Sequence, residues 1–231
     1  MSGCPGVSVW GSPVIDFDYD IIWNNLPFLW KGMKVTLLLT LLAIVGGLVL
    51  GTLLALIRVA KIPILAWVAA AYVNFFRSLP LILVIFWLYF LVPLILGHSV
   101  GSFYSVLVAF VLFEAAYYSE IVRAGISSVG SGQIAAARAV GLTYPQTMRY
   151  VVLPQAFRAM VPVLLTQAII LFQDTSLVYV VGLKDFLVSA ELIANRDQRL
   201  IEMFIFVAIV YFIICFSGSL LTRHLQKKLK I

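Results

Sequence analysis

SGQIAAARAVGLTYPQTMRYVVLPQA, residues 131–156, stands between long apolar runs yet is too polar to cross a bilayer itself. It carries Arg138 and Arg149 and is broken at Gly141, Pro145 and Pro154. Residues 133–140 are rich in alanine, the strongest helix former. Gly141 can end that helix in the left-handed conformation. Thr143 and Gln146, three apart with Pro145 in the first turn, match a capping box that starts a second short helix. Leu153-Pro154 then marks entry to the next apolar run. Two short helices meeting at a glycine, basic and partly apolar, suit a groove on a partner protein. The plainer alternative is an interfacial helix that only links two spans.

The runs on either side set the class. Hydrophobic residues make up 63% of the chain and charged residues 11%, with a mean hydropathy of +1.07. Soluble domains hold roughly 45–50% apolar and about 25% charged residues, so the composition is that of an integral membrane protein. Cys4 and Cys215 lie far apart, which offers no disulfide framework, and no Cys/His cluster has metal-ligand spacing. Cys4 lacks the preceding apolar segment of a lipidation signal, and the first thirty residues show no secretory signal pattern.

A membrane helix needs about 20 apolar residues. Residues 35–57 meet that, with Gly46, Gly47 and Gly51 read as sites of close helix packing. The stretch 64–96 would be about 50 Å long as one straight helix, too long for a core of roughly 30 Å. Arg77, Ser78 and Pro80 divide it into an interfacial or tilted helix, 64–76, and a second span, 78–96. A six-span reading would let both pieces cross. Residues 102–126, 151–172 and 201–221 complete five spans, and a polar interval occupies 173–199.

Basic residues favour the cytoplasmic side of a membrane protein. If the side reached after the first span is cytoplasmic, Arg58, Lys61, Arg77, Arg123, Arg138, Arg149, Arg158, Arg223, Lys227, Lys228 and Lys230 fall there. Lys31, Lys34, Lys184, Arg196 and Arg199 fall outside, with Asp16, Asp18, Asp20, Asp185, Glu191 and Asp197. The expectation is an external N-terminus, a cytoplasmic C-terminus and a cytoplasmic 131–154 segment. The domain reading is an external tail over 1–31, a single transmembrane domain over 32–222, and a basic tail over 223–231 suited to anionic lipid headgroups.

The spacing from Ala136-Ala137 through Gly141 to Leu153-Pro154 resembles the EAA loop of ABC importer membrane subunits, written EAAxxxG, nine residues, then IxLP. Ala135 stands where the family carries glutamate, a departure that removes one polar contact to the ATPase. Glu114-Ala115-Ala116 spells the literal triplet but lacks the spaced glycine. YVNFFRSLPLILV, YYSEIVRAGI, LPQAFRAMVP and LTQAIILFQDTSLVYVVGLKDF extend the resemblance to the polar amino-acid importer branch over residues 20–225. EAAYYSEI and FRAMVP look most like its glutamate/aspartate permeases.

That resemblance implies the all-α type I ABC importer transmembrane fold in a multi-pass chain of the bacterial inner membrane. It implies a non-catalytic subunit that binds no cofactor and leaves ATP to a separate ATPase. Its implied partners are two ATPases, a second permease subunit in a heterodimer, a periplasmic amino-acid-binding protein and membrane lipid, with no nucleic acid. Ala136, Ala137, Arg138, Gly141 and Leu142 are the implied ATPase-coupling residues. The chain itself has no GxxxxGK[ST] phosphate loop.

Charges inside spans face the bundle interior or a wet cavity. Glu120 and Arg123, three apart, can pair on one helix face and are candidates for the translocation path. Glu114 and Tyr118, four apart, share a face and are candidates for the translocation path. Gln173 and Asp174, expected near the external end of the fourth span, are further candidates. Arg77 and Arg158 can attract a carboxylate or simply anchor the chain at the membrane edge. The interval 185–199 reads either as a contact for the binding protein or as a solvated loop. Two rival classes fit the sequence less well. A secondary transporter is expected to show an internal repeat, and none is evident. In an intramembrane enzyme, His98 and His224 would lie on opposite sides, so no catalytic constellation assembles.

Overall fold

The computed structural model describes residues 19–60, 62–98 and 100–229, and all regular elements among them are helical. Cys4, Asp16, Asp18, Lys61 and Lys230 lie outside the described residues. Helix α1, Asp20–Val59, runs for 40 residues, about 60 Å at the α-helical rise. The tail expected over 1–31 therefore gives way to helix at Asp20. Ile21, Leu29 and Met33 supply the reason, because they bury against a later helix and form part of the core. That contact outweighs the polarity of Asn24, Asn25 and Lys31 and the break risk at Pro27.

The 64–96 stretch divides where expected. Helix α2, Pro63–Arg77, ends as the Ser78 hydroxyl donates to the Asn74 carbonyl at 2.8 Å. Helix α3, Leu81–Leu96, departs at 105° to α2. Neither piece alone is long enough to count as a span. The pair taken as one broken span, with α1 and three further helices, gives the expected total of five.

Helix α4, Ser102–Ser127, is the most enclosed of the four helices long enough to cross a membrane. Ala43, Gly47, Gly51 and Ala55 recur every four residues along α1 and are buried. A Cβ on Gly51 would sit 2.8 Å from the Ala115 carbonyl oxygen and 2.8 Å from Tyr118 Cβ. The small-residue stripe thus lets two backbones approach, the close-packing role expected of these glycines. Because a backbone oxygen cannot move aside, Gly51→Val is expected to destabilise the chain by about 1–3 kcal/mol. Thermal unfolding in detergent reads this out.

Helix α5, Ser131–Ala139, is short. The next helix, α6, Tyr144–Val181, is continuous, with a π-turn at Met148–Val152, an α-helical body at Leu153–Asp174 and a 3-10 end at Thr175–Val181. The second short helix expected after Gly141 is therefore the first turn of a long one. Pro154 has no N–H for the Tyr150 carbonyl, and the π-turn absorbs that gap without breaking the helix. Trp87–Leu91 repeats the device two residues ahead of Pro93.

The polar interval 173–199 is largely helical, so the solvated-loop reading of 185–199 does not hold. It folds into the end of α6 and helix α7, Phe186–Asp197. Phe186, Ala190, Ile193 and Ala194 pack with Ile21, Leu29 and Met33 of α1 and with Met203 and Val207 of helix α8, Leu200–Leu229. The basic tail expected from 223 continues α8 as helix through Leu229.

Candidate functional site

The elbow between α5 and α6 follows from its sequence. Gly141 has φ +86°, which glycine alone adopts without strain. Its N–H donates to the Arg138 carbonyl at 2.9 Å, and the Leu142 N–H donates to the Ala137 carbonyl at 3.1 Å. These are the two bonds of a Schellman motif. The Gln146 Oε1 then accepts from the Thr143 N–H at 2.8 Å and from the Thr143 hydroxyl at 2.9 Å. The Thr143 side chain in turn accepts from the Gln146 N–H, which completes the capping box.

One side of the elbow holds to the bundle. Ala137 is 5% exposed, and Ile134 and Met148 pack against Val129, Val152 and Ala156. The other side is open: Ala136, Arg138 and Ala139 are exposed, and Val140 is 77% exposed. Tyr144 and Tyr150 are also exposed. Leu142 is half-buried beside them. Of the five residues singled out by sequence, Ala137 faces inward, and its part is to seat the elbow. Ala136 and Arg138 face out, and Gly141 shapes the turn.

Three charges sit behind the elbow. Glu120 accepts from Arg123 at 2.8 and 3.1 Å, the pairing expected from their spacing. Its other oxygen accepts from Arg58 at 2.6 Å, which ties the end of α1 to α4. The charge pattern of the sequence assigns Arg58 to the cytoplasmic side and gives no sign of this partner. Arg77, from the α2–α3 break, lies over the Tyr117 ring at 5.5 Å on the same part of α4.

Glu114 and Tyr118 do share a face, but that face is shut. They are 0% and 1% exposed, covered by Gly47 and Gly51 of α1. The Gln167 amide donates to both Glu114 oxygens at 3.1 and 3.2 Å. Glu114 and Tyr118 are thus packing groups between helices here, not the wall of an open path. Gln167, which sequence reasoning missed, is the partner that a mid-span carboxylate required.

Gln173 is exposed and Asp174 half-buried. The neighbouring Phe172 ring packs against Tyr211, tilted by 42° with centroids 5.2 Å apart. Tyr211 lies eleven residues into α8, about 16 Å from its start. Gln173 and Asp174 therefore sit within the bundle rather than at its end. At that end, Asp185 caps α7 by accepting from the Val188 N–H at 2.8 Å. Arg196 donates to Asp197 at 2.7 Å and to Asn25 at 3.0 Å. The hydrogen bond from Arg196 holds the exposed Asp197 carboxyl below its ordinary range. Among the described residues no group of His, Cys, Asp and Glu has metal-binding geometry.

The described helices form a bundle of long and bent apolar helices, with a basic elbow left open on one side. Residues 47–231 match the family of binding-protein-dependent transport system inner membrane components, and the chain belongs to it. It is similar to the glutamate/aspartate import permease protein GltK of Escherichia coli O6:H1, 49% identical over 220 residues, covering 92% of this chain and 98% of the relative. It is also similar to the probable glutamine ABC transporter permease protein GlnP of Bacillus subtilis, 38% identical over 206 residues, covering 88% and 94%. The crystal structure of an amino acid ABC transporter with histidines matches at a TM-score of 0.86 and 30% identity, over 91% of this chain and 98% of that one. The chain is a non-catalytic, multi-pass permease subunit of an amino-acid ABC importer with the type I transmembrane fold. Such a permease works with an ATPase and a binding protein.

Proposed function

We propose that this chain forms half of the translocation path of a glutamate/aspartate importer in the bacterial inner membrane. It pairs with a second, different permease subunit, and two ATPases dock on the pair. A periplasmic binding protein delivers the amino acid at the opposite face. The substrate reading rests on the 49% identity to a permease named for glutamate and aspartate import. The charge asymmetry supports a cytoplasmic C-terminus and elbow, and an external start for α1. Within the transmembrane domain over 32–222, the coupling segment is 131–154.

The observation that carries the docking role is the two-sided elbow: Ala137 is buried in the bundle while Arg138 and Val140 stand in the open. Ala136, Arg138, Gly141 and Leu142 present the surface that the ATPase engages. ATP binds and is hydrolysed on the ATPase, and this chain holds no cofactor. Closure of the ATPases moves the elbow, and the continuous α6 carries that movement from Tyr144 into the spans.

Uptake of radiolabelled glutamate by cells or proteoliposomes bearing the full transporter tests the substrate. Excess aspartate should abolish uptake, whereas excess glutamine should leave most of it. Uptake blocked by glutamine and indifferent to aspartate would remove the acidic-substrate reading.

A further inference from the structure

The exposed residues of most spans are apolar. Leu37, Leu41, Val45, Val49 and Leu53 of α1 are examples, as are Phe204, Ile209, Phe212 and Phe216 of α8. The body of α6 differs. Its exposed stripe steps at three- and four-residue intervals through Val163, Thr166, Ile170 and Gln173. Polar side chains within a span are expensive against lipid and mark a wet cavity or a protein partner.

Beside that stripe lies a cavity of about 380 Å³ between α6 and α8, with Thr166, Gln173, Ser219, Thr222, Arg223 and Gln226 on its wall. Its size suits a small ligand. The three hydroxyls already donate to their own helices: Thr166 to Pro162 at 3.0 Å, Ser219 to Cys215 at 2.9 Å and Thr222 to Gly218 at 3.0 Å. Each can therefore present only acceptor lone pairs to a visitor. Among the described residues no carboxylate lies within ion-pairing distance of Arg223. Acceptors at Ser219 and a free guanidinium at Arg223 stand one helical turn apart, about 6 Å along α8. An extended acidic amino acid separates its ammonium and distal carboxylate on the same scale.

We propose that the α6–α8 groove is a transit site for the amino-acid cargo. Arg223 takes the side-chain carboxylate, the oxygens of Thr166 and Ser219 take the ammonium, and Gln173 meets the cargo where the body of α6 ends. The assignment of carboxylate to Arg223 rests on the glutamate/aspartate reading. The wet groove itself does not, and it moves the cargo surface from the buried Glu114–Tyr118 face to α6 and α8.

The test uses the assembled transporter in proteoliposomes, with Cys4 and Cys215 replaced by alanine. Thr166→Cys, Gln173→Cys and, as a control on the apolar face of α8, Phe212→Cys are treated with a charged, membrane-impermeant thiol reagent. Thr166→Cys and Gln173→Cys should label, glutamate should slow that labelling at least threefold, and Phe212→Cys should stay unlabelled. Labelling of Thr166→Cys no faster than Phe212→Cys would overturn the groove, whatever the substrate, and would leave the face to lipid or to the second permease. Labelling that no amino acid slows would overturn the transit site. Slowing by glutamine or arginine but not glutamate would uphold the site and remove the acidic cargo. Arg223→Gln should raise the KM for glutamate at least tenfold with the ATPase still bound, and Arg223→Lys should recover part of it. An unchanged KM in Arg223→Gln would overturn the role of Arg223.

Discussion

Gly141→Val leaves the chain in the membrane, removes the ATPase from it on purification, and lowers uptake at least tenfold. The reason is conformational rather than steric. Nothing lies within 4 Å of a Cβ added at Gly141, but the backbone there has φ +86°. An L-residue in the left-handed region costs about 1–2 kcal/mol, and a branched Cβ fares worst. Valine therefore swings the backbone out of that region and loses the bonds from the Gly141 and Leu142 N–H groups, which set the direction of α5. Asparagine visits the left-handed region more readily, so Gly141→Asn should keep most of the ATPase and most of the uptake. The contrast between the two variants, read by co-purification and transport, separates a role for the turn from a role for glycine's small size. Equal behaviour of the two variants would contradict the argument.

Glu120→Ala is the second large effect, and it falls on stability. Glu120 answers two guanidiniums, and the Arg58 side chain is only 15% exposed. Breaking a buried pair costs about 3–5 kcal/mol because the remaining charge is stranded. Arg123 is 40% exposed and can turn to water, which reduces the expected loss to roughly 1–3 kcal/mol. Thermal unfolding of the purified chain should show a midpoint lower by several degrees. Replacing Arg58 with leucine as well should recover part of the loss, because the stranded charge is then gone. A double variant less stable than Glu120→Ala would argue against this origin.

What the sequence disclosed and what it concealed divide along a physical line. The spans were readable because lipid demands long apolar runs. The elbow was readable because Gly141, Thr143 and Gln146 act on neighbours within a few residues. The Glu120–Arg123 pair was readable for the same reason. Arg58 and Gln167 were not, since each meets its carboxylate across more than fifty residues of chain. Polarity misled in two segments that meet at one end of the bundle. Ile21, Leu29 and Met33 recur on one face of α1, and Phe186, Ala190, Ile193 and Ala194 on one face of α7. Periodicity, rather than the sum of charges, held that signal. The end of α6 was placed too far out because the length of the following interval suggested a loop, where the chain instead turns inside the bundle and returns along α1.

The most direct measurement is a photo-cross-link from the elbow. A photoreactive residue replaces Val140, 77% exposed on the elbow, and in a second sample Ile95, 81% exposed at the end of α3. Both are expressed with the whole transporter and irradiated in membranes, and the adducts are identified by mass spectrometry. The account predicts a covalent adduct to the ATPase from Val140 and none from Ile95. An ATPase adduct from Ile95 alone, or from neither position while the transporter is intact and active, would show that the ATPase docks elsewhere.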